Sequence, residues 1–172
     1  YITRGLLALA TNEAEVAGVL AHEIGHVTAR HGAARQSRAT GIGLLGALAG
    51  VLTGSSIVQE LGQQLGGLYV ASYSREQEYE ADQLGVRYLG KAGYPREAMA
   101  DFLARMQAQT EYMAALTGNS GGGSFDFFAS HPQTGDRIER AATSATQNAD
   151  DLDRQFEKER YLAAIDGMLY GD

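Results

Sequence analysis

His22 and His26 stand four residues apart with Glu23 between them, in the run His22-Glu23-Ile24-Gly25-His26. On an α-helix that spacing leaves the two imidazoles about 40° from each other, one turn apart on one face. Two imidazoles so held can bind one Zn²⁺, and the glutamate beside them can act as a base on a water that the metal activates. The same spacing also suits histidines that only cap or brace a helix, so the rest of the chain must decide. A catalytic zinc takes three protein ligands and keeps one position open. The motif helix supplies two of them.

Glu78 and Asp82 form a second pair at helical spacing. With Glu78 set at zero on a helical wheel, Asp82, Ala81, Gly85, Val86 and Leu89 share its side, while Glu76, Glu80, Gln83 and Arg87 fall on the other. A carboxylate on an apolar stripe is costly unless it is paired or binds metal. The alternative to a metal is a buried salt bridge to an arginine elsewhere. A His pair lacking a third ligand and a buried carboxylate pair lacking a partner fit together. Glu78 is the best third ligand, and Asp82 can accept the free N–H of one histidine ligand and fix its tautomer. His31 is the rival, but it follows His26 by five residues where the metzincin pattern wants six, and the glycine of that pattern is missing. On a continuing helix it faces about 180° away from His22. It reads as a structural, hydrogen-bonded histidine near the helix end. Glu23 is then the general base, taking a proton from the attacking water and delivering it to the leaving amine. The oxyanion that develops needs a donor besides the metal. His131 and Arg137 are the candidates, although a histidine before a proline also suits a helix cap. Only four histidines occur in the chain, and three of them cluster at 22–31.

Three segments in order, His22-Glu23-Ile24-Gly25-His26-Val27-Thr28-Ala29-Arg30-His31, then Ser74-Arg75-Glu76-Gln77-Glu78-Tyr79-Glu80-Ala81-Asp82, then Ser130-His131-Pro132 with Arg137, resemble the M48 family of zinc metallopeptidases. The resemblance implies His22, His26 and Glu78 as ligands of one Zn²⁺, Glu23 as catalytic, Asp82 behind a ligand, and His131 and Arg137 near the metal. It also implies a mainly α fold of the α+β zincin-like kind: a helical bundle around a zinc cleft, with a small and partly missing β-sheet. The strand that edges such clefts lies just before the first metal helix, and Tyr1-Ile2-Thr3 reads as its end. The family holds periplasmic quality-control proteases as well as membrane-embedded Ste24-like and HtpX-like enzymes. The resemblance to the soluble branch implies export to the periplasm or cell envelope, with any tether in a missing upstream segment.

The elements that must position these residues follow from patterning. Asn12 reads as an N-cap with Glu15 completing a capping box, and the helix runs to about Arg30 or His31, with Gly32 as its stop. Val16, Leu20, Ile24 and Val27 make one stripe, read as the core face, so that the motif side chains project away from it toward a cleft. Residues 39–58 carry no charge. Their strongly apolar part is only about 16 residues, short of the roughly 20 that cross a bilayer. It reads as a buried or groove-covering helix within the 39–71 segment between the metal helices, with peripheral membrane association as a second reading. A helix over 72–90 carries Glu78. Pro95 opens the next one, with Met99, Phe102, Leu103, Met106 and Met113 as its core stripe. Residues 117–124 form a Gly-rich loop, a linker or a lid. An aromatic anchor at Ser124–Phe128 precedes a helix from Pro132 to about Ala145, and a final helix follows the charged run at 150–153.

The 172 residues suffice for one domain with a real core. At 44% apolar and 20% charged the composition is that of an ordinary globular protein. A net charge of −7 with no basic tract argues against nucleic acid as a partner. Without cysteine, disulfides and thiolate-bound zinc are excluded. No signal peptide is visible, and the abrupt start and finish read as a single metallopeptidase domain truncated at both ends. The function expected is a zinc endopeptidase acting on a polypeptide substrate, of the class of unfolded or misassembled envelope proteins. The alternative is a zinc-stabilised chaperone or binding module, or a latent protease, in which His131 closes the fourth zinc position.

Overall fold

Three helices begin where a short polar side chain takes over an orphan amide. In the computed structural model, which describes residues 2–58, 60–61, 64, 72–117, 131, 135–147 and 158–169, Thr3 caps α1 (Arg4–Leu9) by accepting from Leu6 N. Asn12 caps α2 (Glu13–Thr28), accepting from Glu15 N at 3.0 Å. Ser74 and Gln77 close a reciprocal capping box at the start of α4 (Arg75–Ala92). The other elements are α3 (His31–Thr53), α5 (Ala98–Thr117), α6 (Gly135–Gln147) and α7 (Lys158–Ala164). The fold is mainly α, and no strand occurs among the described residues. Thr3 is extended, but as the cap of α1 rather than the end of a strand.

Glu15 does not complete the expected capping box on Asn12. Its carboxylate reaches one residue further back, accepting from Thr11 N at 2.9 Å and Thr11 Oγ1 at 2.7 Å, and pairs with Arg105 of α5 at 3.0 Å. This fully buried acid thereby ties the first turn of α2 to α5.

The inner face of α2 differs from the expectation. Leu20, Ile24 and Val27 are exposed, Val27 by 75%. The buried positions are Ala14, Glu15, Gly18, Val19, Ala21, His22, Gly25 and His26. The motif side chains therefore lie on the packed face, because the small residues of that face let another helix come close. α2 packs chiefly along α4. A Cβ on Gly25 would stand 2.9 Å from the Ala81 carbonyl oxygen, and one on Gly85 would stand 3.2 Å from His22 N. Two bare backbones meet there, and His22, His26, Glu78 and Asp82 face one another across the contact.

α2 stops at Thr28, and Gly32 is not its end. Arg30, in the left-handed region at φ 58°, turns the chain, and α3 starts at once at His31 with Gly32 inside its first turn. Nor is 39–58 buried: Leu44, Leu45, Leu48, Val51, Leu52 and Ile57 are all exposed. No helix among the described residues is long and apolar enough to cross a membrane.

α5 begins at Ala98, three residues after Pro95. Its Met99, Phe102, Leu103 and Met106 are buried as expected, and Met113 is half-buried. The four buried ones divide between two apolar clusters. Met99 and Leu103 join Ala21, Val86, Leu89 and Ala141. Phe102 and Met106 join Leu6, Val19 and Tyr161. Tyr161 of α7 also donates to Leu7 O at 2.6 Å, fastening the last helix to the first. The Gly-rich residues 118–124, the aromatic run 124–128, Pro132 and the acidic run 150–153 lie outside the described residues.

Candidate metal centre

Four side chains from three parts of the chain converge at the α2–α4 contact. His22, His26, Glu78 and His131 are all buried, and each offers a ligand atom within 4.8 Å of the others. His22 Nε2 lies 3.0 Å from His26 Nε2, 3.2 Å from His131 Nδ1 and 3.6 Å from Glu78 Oε2. Glu78 Oε1 lies 3.4 Å from His26 Nε2 and 3.1 Å from His131 Nδ1.

The protonation of this group follows from Asp82. Arg137 donates to it twice, Nε to Oδ2 at 2.8 Å and Nη2 to Oδ1 at 2.7 Å. Burial alone would push the Asp82 pKa up, but the Arg137 and His22 hydrogen bonds outweigh it and hold the carboxyl below its ordinary range. An ionised carboxylate only accepts. His22 Nδ1, 2.8 Å from Asp82 Oδ1, must therefore be the donor, and His22 Nε2 presents a lone pair to the centre. Glu78 behaves in the same way. Burial opposes its charge, yet hydrogen bonds from His131 and His26 and the charge of Arg137 hold it well below the carboxylate range. Arg137 Nη1 is 2.8 Å from Glu78 Oε2. Burial, the leading cause, pushes the His26 pKa down and favours the neutral ring, whose proton must leave Nε2 for Nδ1 if Nε2 is to act as a ligand.

Nitrogen and oxygen atoms gathered this closely could hold a cation. Four ligands placed tetrahedrally at zinc–N and zinc–O distances are about 3.3 Å apart along each edge. Five of the six residue pairs come within 3.0 to 3.6 Å, Glu78 turning Oε2 to His22 and Oε1 to His26 and His131, close to that value. The donor set, imidazole and carboxylate without thiolate, suits Zn²⁺.

Asp82 and Glu78 face the histidines, and both are also ion-paired to a buried arginine, the arrangement weighed in the sequence as the alternative to a metal. Glu23 sits at the edge of the group, 43% exposed, with its Oε1 3.4 Å from His131 Nε2. It opens on a cavity of about 270 Å³ lined by Glu23, His26, Val27, Arg30, Gly32, Ala33 and Tyr73. A larger cavity of about 800 Å³ between α4 and α6 touches none of the candidate ligands. His31 is outside the converging group but not apart from it, with its Nδ1 3.0 Å from His26 Nδ1. Tyr73 had no signal in the sequence beyond its place just before Ser74. Its ring lies over His26 with centroids 3.9 Å apart, and the Arg35 guanidinium covers it at 4.0 Å.

Comparison with known proteins adds lineage to this geometry. Residues 1–145 match the model of "Peptidase family M48". The chain is 31% identical, over 88% of its length, to the beta-barrel assembly-enhancing protease of Yersinia pestis. It is 31% identical over 81% of its length to the mitochondrial metalloendopeptidase OMA1 of Saccharomyces cerevisiae, and 32% identical over 74% to the metalloprotease YcaL of Escherichia coli. It covers 32% of the first of these relatives, 39% of the second and 48% of the third.

Proposed function

The chain belongs to peptidase family M48, and from that premise we propose that it is a zinc-dependent endopeptidase of the gluzincin type, with His22, His26 and Glu78 holding one Zn²⁺. The observation that carries this reading is the meeting of these three ligand atoms beside a partly exposed Glu23. A zinc ion in that donor set supplies Lewis-acid activation of a water and of the scissile carbonyl. Glu23 accepts the proton of the attacking water as its oxygen bonds to the carbonyl carbon, and returns a proton to the amine nitrogen as the C–N bond breaks. Asp82 keeps the His22 proton on Nδ1. Arg137 was expected near the oxyanion; its donors are turned to Asp82 and Glu78, which supports a positioning part instead. The substrate we propose is a polypeptide that is unfolded or misassembled in the bacterial envelope, a class in keeping with the relative named for enhancing beta-barrel assembly, and the location the periplasm or cell envelope. The uncharged exposed stretch of α3 is the side on which the protein would meet a membrane surface.

A second reading is favoured by one observation. His131 Nδ1 is as close to His22 Nε2 and Glu78 Oε1 as the other ligand atoms are to one another. His131 in the fourth position makes the resting chain a closed form, either a latent protease or a zinc-stabilised binding module.

Zinc content and cleavage of unfolded casein, measured together, test the proposal. The wild type should bind one zinc and cleave; Glu23→Gln should keep the zinc and lose cleavage by about 10²–10⁴-fold. Equal cleavage by both sinks the role of Glu23. Zinc bound tightly with no cleavage by the wild type, even with His131 replaced, leaves the binding module.

A further inference from the structure

His31 follows the motif and belongs to none of the expected site residues. It is buried, and its two ring nitrogens have different partners. Nδ1 lies 3.0 Å from His26 Nδ1, and Nε2 lies 3.2 Å from Glu80 Oε2. The break after Thr28 makes this contact. A continuous helix would hold His31 about 180° from His22. Arg30 in the left-handed region breaks the helix instead, and the first residue of α3 lies against His26.

We infer that His31 is a positioning residue for the His26 ligand, the middle of a relay from Glu80 to the metal; this rests on the metal reading above. The tautomers follow from one requirement. If His26 gives its Nε2 lone pair to a metal, its Nδ1 carries the proton and must donate. Among the described residues the acceptor at hydrogen-bond distance there is His31 Nδ1, which must then be unprotonated. The proton of neutral His31 is on Nε2, where it meets the Glu80 carboxylate. The chain of donors runs from His26 Nδ1–H to His31 Nδ1, and from His31 Nε2–H to Glu80. The two histidine ligands are thus oriented alike: His22 by Asp82 directly, and His26 by Glu80 through one intervening ring. Partners behind a ligand orient its ring and raise its basicity, and their loss typically costs about 10–100-fold in metal affinity.

The test is zinc affinity by competition with a chromophoric chelator, read on wild type, His31→Phe and His31→Gln. Phenylalanine keeps a ring in the buried site but accepts nothing, and should weaken zinc about 10-fold or more. Glutamine restores an acceptor and should recover most of that loss. His31→Phe binding as tightly as wild type overturns the inference while leaving the metal site standing. A wild type that binds no zinc, or a Glu78→Ala variant that binds it unchanged, overturns the metal reading itself. Should His31→Phe fail to fold, the zinc-loaded wild type still decides. Imidazole ¹⁵N shifts must place the His31 proton on Nε2, and a proton on Nδ1 overturns the relay.

Discussion

Arg137 grips Asp82 with two hydrogen bonds, at 2.7 and 2.8 Å, while the same carboxylate holds His22 Nδ1 at 2.8 Å. The guanidinium is 1% exposed and belongs to α6, so the sequence-distant helix sets the tautomer of a motif histidine through one acid. Removing one member of a buried ion pair strands the other, at a cost of about 3–5 kcal/mol. Arg137→Met should lower the chemical-denaturation stability of the metal-stripped protein by that order and weaken zinc in the same variant. Asp82→Asn keeps shape but not charge, and should cost about 10–100-fold in zinc affinity. Unchanged affinity in both variants would show that the pair braces helices without reaching the ligand.

The close contact of α2 with α4 gives a steric prediction. A methyl on Gly25 meets backbone, the Ala81 carbonyl oxygen at 2.9 Å and the Ala81 Cα at 3.1 Å, so no side chain can move to admit it. Overpacking of this kind costs about 1–3 kcal/mol, against roughly 1 kcal/mol that alanine gains over glycine in a helix. Gly25→Ala should be no more stable than wild type, and Gly25→Val clearly less, each with weakened zinc as the facing ligands separate. Gly18→Ala is the control, since its new methyl comes no nearer than 3.6 Å to its surroundings and should be neutral or stabilising in thermal melts. A Gly25→Val variant with wild-type melting and zinc affinity would contradict this packing.

Acid should loosen the metal-stripped protein, because the shifts of His26, Glu78 and Asp82 have the same sign. His26 titrates below its ordinary 6.5, Glu78 below 4.5 and Asp82 below 3.8. Each therefore binds protons more readily when unfolded, so stability is fully present above those ordinary values and lost as pH falls. The His26 part goes first, from about pH 6.5 downward, and the carboxylate parts follow below about 4.5. Urea midpoints at pH 7.5, 5.5 and 4 with a chelator present should fall in that order. A midpoint that rises between 7.5 and 5.5 would mean the histidine cluster is stabilised by protonation.

The carboxylate face of α4 was legible because polarity marks it: Glu78 and Asp82 share a stripe with Ala81, Val86 and Leu89, and Glu76, Glu80, Arg87 and Lys91 lie opposite. The inner face of α2 was not. Its larger apolar residues Leu20, Ile24 and Val27 point outward, while close approach depends on small ones, Ala21 and Gly25, which periodicity weighs lightly. The end of α2 was hidden for a related reason. A left-handed turn is usually announced by glycine or asparagine, and here an arginine adopts it two residues before Gly32. That one displaced boundary separates the His31 expected to point away from the His31 that touches His26.

His131 gives the prediction with the most at stake, because its two readings differ in sign. As an oxyanion donor it would leave zinc affinity alone, and its loss would lower kcat. As a fourth ligand it competes with the water that the reaction needs, and its loss would raise basal cleavage while weakening zinc. The distances favour the second. Its Nδ1 is 3.2 Å from His22 Nε2 and 3.1 Å from Glu78 Oε1, inside the group of ligand atoms, whereas an oxyanion donor must stand back by the width of a substrate. Its other nitrogen lies 3.4 Å from Glu23, so the same ring also stands against the proposed general base. His131→Ala should therefore cleave casein several-fold faster than wild type and bind zinc about 10-fold more weakly, by analogy with other losses around a metal. Slower cleavage at unchanged zinc affinity would return His131 to the transition state and leave the resting site open to water.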